Sequence, residues 1–254
     1  MMQKIAIITG ATGGIGQAFV STILEENIDE IWAVARNEDK LSKLKIDYGD
    51  KIRTIKCDLE NSKDIQGIGE LLNKEKPDVR ILVNNAGIAK MGKYSDFSNN
   101  DISTAIDVNC KAVCLLCHYV IPYMKNGSRI LNISSASSFQ PNPYINLYSA
   151  SKVFVRSYSR SLNYELKGTG IVCTAVCPGW VDTEMLTKEQ NGNKIKFPGI
   201  VSAESVAKQA MIDSAKGRDM SVCSLFVKYE HFISKILPQK WIMGIWVKGI
   251  KDYV

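Results

Sequence analysis

An apolar run that passes directly into a glycine-rich turn and then a helical pattern constrains this chain more than any other feature. Lys4-Ile-Ala-Ile-Ile-Thr9 reads as a strand buried on both faces, the pattern of a central parallel strand. It runs into Gly10-Ala-Thr-Gly-Gly-Ile-Gly16, and a helix is predicted over 14–26. Strand, glycine turn and helix in that order aim backbone N–H groups and a helix N-terminus at a phosphate. The spacing is Gly10-x-x-x-Gly14-x-Gly16, not the dinucleotide fingerprint G-x-G-x-x-G. Thr12 and Ile15 lie inside the same turn as candidate contacts.

The strand-helix alternation then repeats. A second strand over 30–35 ends in Ala35-Arg36, where an NAD-selective site usually places a carboxylate for the ribose hydroxyls. Without that acid nothing repels a 2′-phosphate, and a guanidinium there pairs with one bidentately, so NADP(H) is favoured over NAD(H). A helix over 38–48 and a strand over 52–56 follow, then Asp58 and Leu59 at the strand end, where the Asp58 carboxylate can meet an adenine amino group or serve the loop. A helix over 62–74 leads to a strand over 80–83 and to Asn84-Asn-Ala-Gly87. Small residues at 86 and 87 let backbone approach a ligand, and the amides of Asn84 and Asn85 can tie neighbouring strand ends together.

The chemistry gathers further on. A buried strand over 129–133 delivers Ser134 and Ser135 to its carboxyl end, the edge where open α/β sheets bind ligands. Tyr148 and Lys152 are four residues apart in a helix predicted over 144–166 and so share one face. A phenol donates poorly near neutrality because its unperturbed pKa is about 10, and a neighbouring ammonium favours the phenolate. Next come a strand over 171–176, the break Pro178-Gly179, and Val181 and Thr183 ahead of a polar stretch, 184–199, that reads as a mobile loop closing over a substrate. Phe139, Trp180 and Met185 suggest an apolar pocket. A helix over 203–216 and a short strand near 221–222 complete the pattern.

A long amphipathic helix over 101–125 holds Asn109, a buried amide able to distort the helix and hold a water, and Cys110-x-x-x-Cys114-x-x-Cys117. That cysteine spacing suits an iron–sulfur cluster or zinc, but the three fall on one helical face among Val113, Leu115 and Leu116 and read as core; no metal site is expected. The seven cysteines, odd in number and mostly within apolar segments, have the habit of reduced thiols in a cytoplasmic protein. The first apolar run is too short for a signal peptide, and no apolar run approaches the ~20 residues that span a bilayer. The net charge of +6 is spread along the chain with no basic run interleaved with aromatics, which argues against nucleic acid. The tail from about 228 carries Ile236, Leu237, Trp241, Ile242, Ile245, Trp246, Gly249 and Ile250 in one helical stripe, with Lys235, Lys240, Lys248 and Lys251 mostly off it. A lid over the cleft or a dimer contact is preferred for this helix to a membrane-surface role.

Taken together these residues resemble the classical short-chain dehydrogenase/reductase family over essentially the whole length. The motifs arrive in order: Thr9-Gly10-x-x-x-Gly14-x-Gly16, Asn84-Asn-Ala-Gly87, Asn109, Ser135, Tyr148-x-x-x-Lys152, and Pro178-Gly179 with Thr183. The resemblance selects Ser135 over Ser134, because it lies thirteen residues before Tyr148 (148 − 135). It implies one Rossmann-type domain over 1–254, a doubly wound parallel sheet of about seven strands flanked by helices, to which the tail adds an extra C-terminal amphipathic helix. It implies NADP(H)-dependent interconversion of a small-molecule ketone or aldehyde and its alcohol, on a lipophilic substrate such as a hydroxysteroid or a 3-oxoacyl group. The alternative is a noncatalytic NADP(H)-binding regulator. Tyr148 would be the general acid or base, Lys152 would hold the nicotinamide ribose, Ser135 would hydrogen-bond the carbonyl, and Asn109 would position a relay water. Gly10, Thr12, Gly14, Ile15 and Gly16 would contact the cofactor with Arg36, Asp58 and Leu59. So would Asn85, Ala86 and Gly87, Tyr148 and Lys152, and Pro178, Gly179, Val181 and Thr183. A homodimer or homotetramer is expected; the tail from about 228 departs from members that end soon after the last strand.

Overall fold

The structure, a computed structural model, describes residues 2–184, 186, 189–190, 193–194 and 197–250. Seven strands form one parallel sheet: β1 (Lys4–Thr9), β2 (Glu30–Ala35), β3 (Ile52–Lys56), β4 (Asp78–Asn84), β5 (Met124–Ile133), β6 (Val172–Val176) and β7 (Met220–Ser221). Their order is β7-β6-β5-β4-β1-β2-β3, the doubly wound arrangement that the sequence predicts. The order reverses direction at β1, so the carboxyl ends of β1 and β4 border a crevice.

Nine helices connect and cover these strands among the described residues: α1 (Gly14–Leu24), α2 (Glu38–Tyr48), α3 (Ser62–Glu75), α4 (Asn99–Ile106), α5 (Ala112–Val120), α6 (Asn146–Glu165), α7 (Ala203–Ala215), α8 (Leu225–Ile236) and α9 (Gln239–Gly249). Alternation along β1 divides the core. Ala6 and Ile8 pack with α1 and α7 residues such as Phe19, Ile23 and Val206. Ile5 and Ile7 face the other way, toward Ile68, Leu116 and Val155 of α3, α5 and α6.

Four local outcomes differ from the sequence expectations. The helix expected over 101–125 ends at Val120; Pro122 sits in a short 3₁₀ turn, and Met124 already belongs to β5. The run Asn99–Tyr123 is, by length and composition, apolar enough to cross a membrane, contrary to the sequence reading, yet Ala112, Leu116, Cys117 and Val120 are buried against the sheet. Within the stretch 184–199, the described part includes a two-stranded ribbon, Glu189–Gln190 with Asn193–Lys194, rather than a bare loop; Met185 lies outside the described residues. The tail is two helices, not one, because Leu237 is extended and Pro238 caps α9.

Candidate active site

The strand ends are tied together by the two adjacent amides of β4. Register sets Thr9, Asn84 and Asn132 side by side. Asn84 Nδ2 donates to Asn132 Oδ1 at 2.8 Å, and Asn132 Nδ2 donates to Ser159 Oγ at 2.9 Å, linking β4, β5 and α6. Asn85 Nδ2 donates to the carbonyls of Thr9 and Gly10, while the Thr9 hydroxyl accepts the N–H groups of Asn85 and Ala86. These bonds leave the edge of the crevice as bare backbone and small side chains.

The glycine turn is compact for steric reasons. Gly10 has φ +61°, and a Cβ on Gly16 would strike the Gly10 carbonyl, so the turn folds back on itself only with hydrogen at both positions. A Cβ on Gly14 would lie 2.7 Å from Thr183 Cγ2, which brings the chain after β6 against the turn. At the N-terminus of α1, Gly13 supplies no side-chain cap and the first turn carries no acid. Its N–H groups and positive dipole end therefore remain available to an anion.

A cleft of about 1050 Å³ runs from this turn to the far side of β5. Its wall brings together Gly10, Thr12, Gly14 and Ile15, then Arg36, Asp58 and Leu59, then Asn85, Ala86 and Gly87. Farther along it holds Ser135, Tyr148, Lys152, Pro178, Gly179, Val181 and Thr183. The shape and donors fit a dinucleotide: an uncapped helix N-terminus and a glycine cradle in the middle, a guanidinium beyond β2, and hydroxyl and ammonium groups beyond β5. Gly16 and Asn109, expected at the site, are not on the wall. Gly16 is packed beneath the turn, and Asn109 lies one layer behind.

Asn109 sits in a π-helical turn, Asp107–Lys111, between α4 and α5, and is completely buried. Its amide accepts from Ile88 N–H at 2.9 Å and donates to Ile88 O at 2.9 Å and Ser151 Oγ at 3.0 Å. Both ends of this side chain are thus spent on holding the strand β4 exit against α6. Gly87 is the spacer: a Cβ there would come within 3.2 Å of Lys152 Nζ and 3.3 Å of Asn109 Oδ1.

Ser134 and Ser135 have separate fates. Ser134 is buried and donates to the Lys152 carbonyl at 2.7 Å, fastening α6 to β5. Ser135 remains half-buried on the cleft wall, its Oγ accepting from Ser137 N–H at 3.1 Å and its hydroxyl hydrogen-bonding the Tyr148 phenol. Tyr148 lies on the same wall, and burial pushes its phenol up while the neighbouring Ser135 hydroxyl pulls it down. The upward shift runs against the expected effect of Lys152, whose Nζ stands 5.6 Å from the ring centroid. Desolvation outweighs attraction over that distance. Lys152 itself is lowered to about 8 by burial, and its ammonium donates to the Ile133 carbonyl at 2.8 Å.

The chain matches the short chain dehydrogenase family over residues 4–194. It belongs to that family. An uncharacterized oxidoreductase of Staphylococcus epidermidis is 28% identical to this dehydrogenase over 206 residues, covering 80% of this chain and 89% of that protein. A short-chain dehydrogenase from Sphingobium yanoikuyae, solved in complex with NADPH, has a similar fold, with a TM-score of 0.76 at 23% identity over 99% of this chain and 96% of that one. A short-chain dehydrogenase/reductase from Burkholderia phymatum, solved in complex with NAD, gives 0.78 at 22% identity over 91% and 92%.

Sequence reading missed several cleft residues of this short-chain dehydrogenase. Lys40, in the first turn of α2, lines the same end as Arg36, and a second basic residue close after Arg36 was the available signal. Phe226, Val227, Glu230 and Trp246 reach the other end from α8 and α9. Trp246 stacks on Trp180 at 6.4 Å and donates its indole N–H to the Pro143 carbonyl at 2.9 Å, so part of the tail roofs the cleft. Phe139, expected in the pocket, is instead buried beneath α8 with its ring 4.0 Å from that of His231.

Proposed function

We propose that this short-chain dehydrogenase reduces a ketone or aldehyde with NADPH and oxidises the corresponding alcohol in the reverse direction. The observation that carries the proposal is the convergence of the Ser135 hydroxyl, the Tyr148 phenol and the Lys152 ammonium on one wall of the cleft that also contains the uncapped glycine turn. When bound, the nicotinamide would supply the hydride. The residues supply orientation and the proton. Ser135, whose hydroxyl hydrogen-bonds the Tyr148 phenol on the cleft wall, donates to the carbonyl oxygen once the ketone is bound and shares the charge that develops there. Tyr148 delivers its proton to the same oxygen, and a phenol raised by burial stays protonated near neutrality, the form that reduction requires. Lys152 holds the ribose hydroxyls and offers a positive charge to the phenolate that remains.

Arg36 and Lys40, with no carboxylate at the Ala35 position, support NADP(H) over NAD(H). Trp180, Leu186, Phe197, Phe226, Val227 and Trp246 make the far end apolar, which supports a lipophilic ketone of the hydroxysteroid or 3-oxoacyl kind. The outward faces of α4 and α6, with Ile102, Ile106, Val153 and Phe154 exposed, support a homodimer through these helices.

Tyr148→Phe tests the mechanism. Turnover of a lipophilic ketone should fall by about 10²–10⁴ while NADPH still binds, read by the fluorescence of the reduced cofactor. Full turnover in the phenylalanine variant overturns the proposal.

A further inference from the structure

The two tail helices each have a packed face and an apolar face left in water. Val227 and Ile242 are buried and Trp246 roofs the cleft. On the outer side of α8, Leu225, Tyr229, Phe232 and Ile236 recur at i, i+4, i+7 and i+11, and all are exposed, Leu225 at 80%. At 1.5 Å per residue that stripe is about 16 Å long. Trp241 and Ile245, one turn apart on α9, are exposed at 65% and 63%. Large apolar side chains this exposed in a row do not stabilise a lone protein in water.

The charge on these helices is one-sided. Lys228, Lys235, Lys240 and Lys248 lie on them, and none makes an ion pair among the described residues. The only carboxyl group between 225 and 250 is Glu230, which lines the cleft and whose acidity burial weakens. We propose that α8 and α9 dock this enzyme on the surface of an anionic lipid bilayer. A two-fold copy of the chain would set the same lysines against themselves, and the one carboxylate on the helices, Glu230, lines the cleft instead of the outer face. An anionic surface answers all four, and Tyr229 and Trp241 are the side chains suited to the headgroup zone. With 12 and 11 residues, α8 and α9 are too short to span and lie in the interface plane. Because the docked face is the back of the cleft's roof, a lipophilic ketone would pass between bilayer and site over a short path. That last step rests on the proposed function; the docking does not.

The full chain should sediment with vesicles of phosphatidylcholine containing phosphatidylglycerol and stay largely in the supernatant with phosphatidylcholine alone. Phe232→Ser combined with Trp241→Ser should lower the partition at least tenfold, roughly, as should Lys235→Glu combined with Lys240→Glu. Reduction of a water-soluble ketone and the melting temperature should be unchanged in both variants. Failure of the wild type to sediment with the anionic vesicles overturns docking. So does an outcome in which the Phe232 and Trp241 changes alter the mass in light scattering but not the sedimentation, which would make this face a contact between copies. Sedimentation without any ketone turnover leaves docking standing and counts against the catalytic proposal instead.

Discussion

The Lys152 ammonium donates to the Ile133 carbonyl at 2.8 Å, so the last residue of β5 holds the amine that α6 carries into the cleft. This single bond compensates only part of the desolvation, and the group is lowered to about 8. A lysine whose folded pKa lies below its unfolded value makes the unfolded chain bind more protons between the two. The resulting penalty is complete below about 8, fades as pH rises and vanishes above the ordinary value of 10.5. Lys152→Met, which keeps most of the stem and removes the charge, should therefore melt higher relative to wild type at neutral pH than at mildly alkaline pH in the ligand-free protein. A difference in melting temperature that does not change with pH counts against a strained ammonium.

Tyr148 gives the activity its own pH signature. Because kcat/KM for the ketone reports groups of the enzyme before the ketone binds, the upward direction that burial gives Tyr148 sets the expected profile. Ketone reduction uses the protonated phenol and should be nearly flat between about pH 6 and 8. Alcohol oxidation needs the phenolate and should climb by close to tenfold per pH unit, roughly, over the same range. Matching profiles in the two directions would show that some other group handles the proton.

Arg36 is already engaged. Its Nη1 lies 3.2 Å from Glu60 Oε1, and the other oxygen of that carboxylate accepts from the Thr104 hydroxyl at 3.0 Å. A 2′-phosphate at Arg36 would meet this carboxylate as a competitor. Glu60→Gln should raise the NADPH-over-NADH ratio of kcat/KM and Arg36→Ala should lower it. The guanidinium is largely exposed, so each effect should be modest, about three- to tenfold, and should shrink at high salt. An unchanged ratio in both variants would remove Arg36 from cofactor selection.

Where the chemistry is local, the sequence already displays it. Gly16 is required by the Gly10 carbonyl within the same turn, and the i, i+4 relation of Tyr148 and Lys152 is a property of one helix. The two serines part by position: Ser134 donates to the Lys152 carbonyl, while Ser135 faces the cleft. Readings that depended on phase or on distant partners fared worse. Cys110, Cys114 and Cys117 share a face on an ideal helix, but the π turn at Asp107–Lys111 inserts extra winding, and of the three only Cys117 is fully buried. The helix expected to run to Lys125 keeps its spacing past the point where Pro122, in a 3₁₀ turn, redirects the chain into β5 at Met124. Phe139 and the tail could not be assigned because their partners lie about a hundred residues away, as Trp246 and Pro143 show.

Gly179 and Val227 provide the sharpest test of the roof. A Cβ on Gly179 would stand 2.5 Å from Val227 Cγ2 but 4.0 Å from Val227 Cβ. Val227 is buried, so α8 cannot yield without lifting from the β6 end of the cleft. Gly179→Ala should therefore raise KM for a bulky ketone several-fold and lower the melting temperature, with overpacking of this kind typically costing about 1–3 kcal/mol. Val227→Ala alone leaves a small void that costs about 1–2 kcal/mol. Combined with Gly179→Ala it removes the colliding methyl and fills part of that void, so the double variant should be more stable, with a lower KM, than the sum of the single effects implies. Strict additivity in melting temperature and KM would mean that the two residues do not meet.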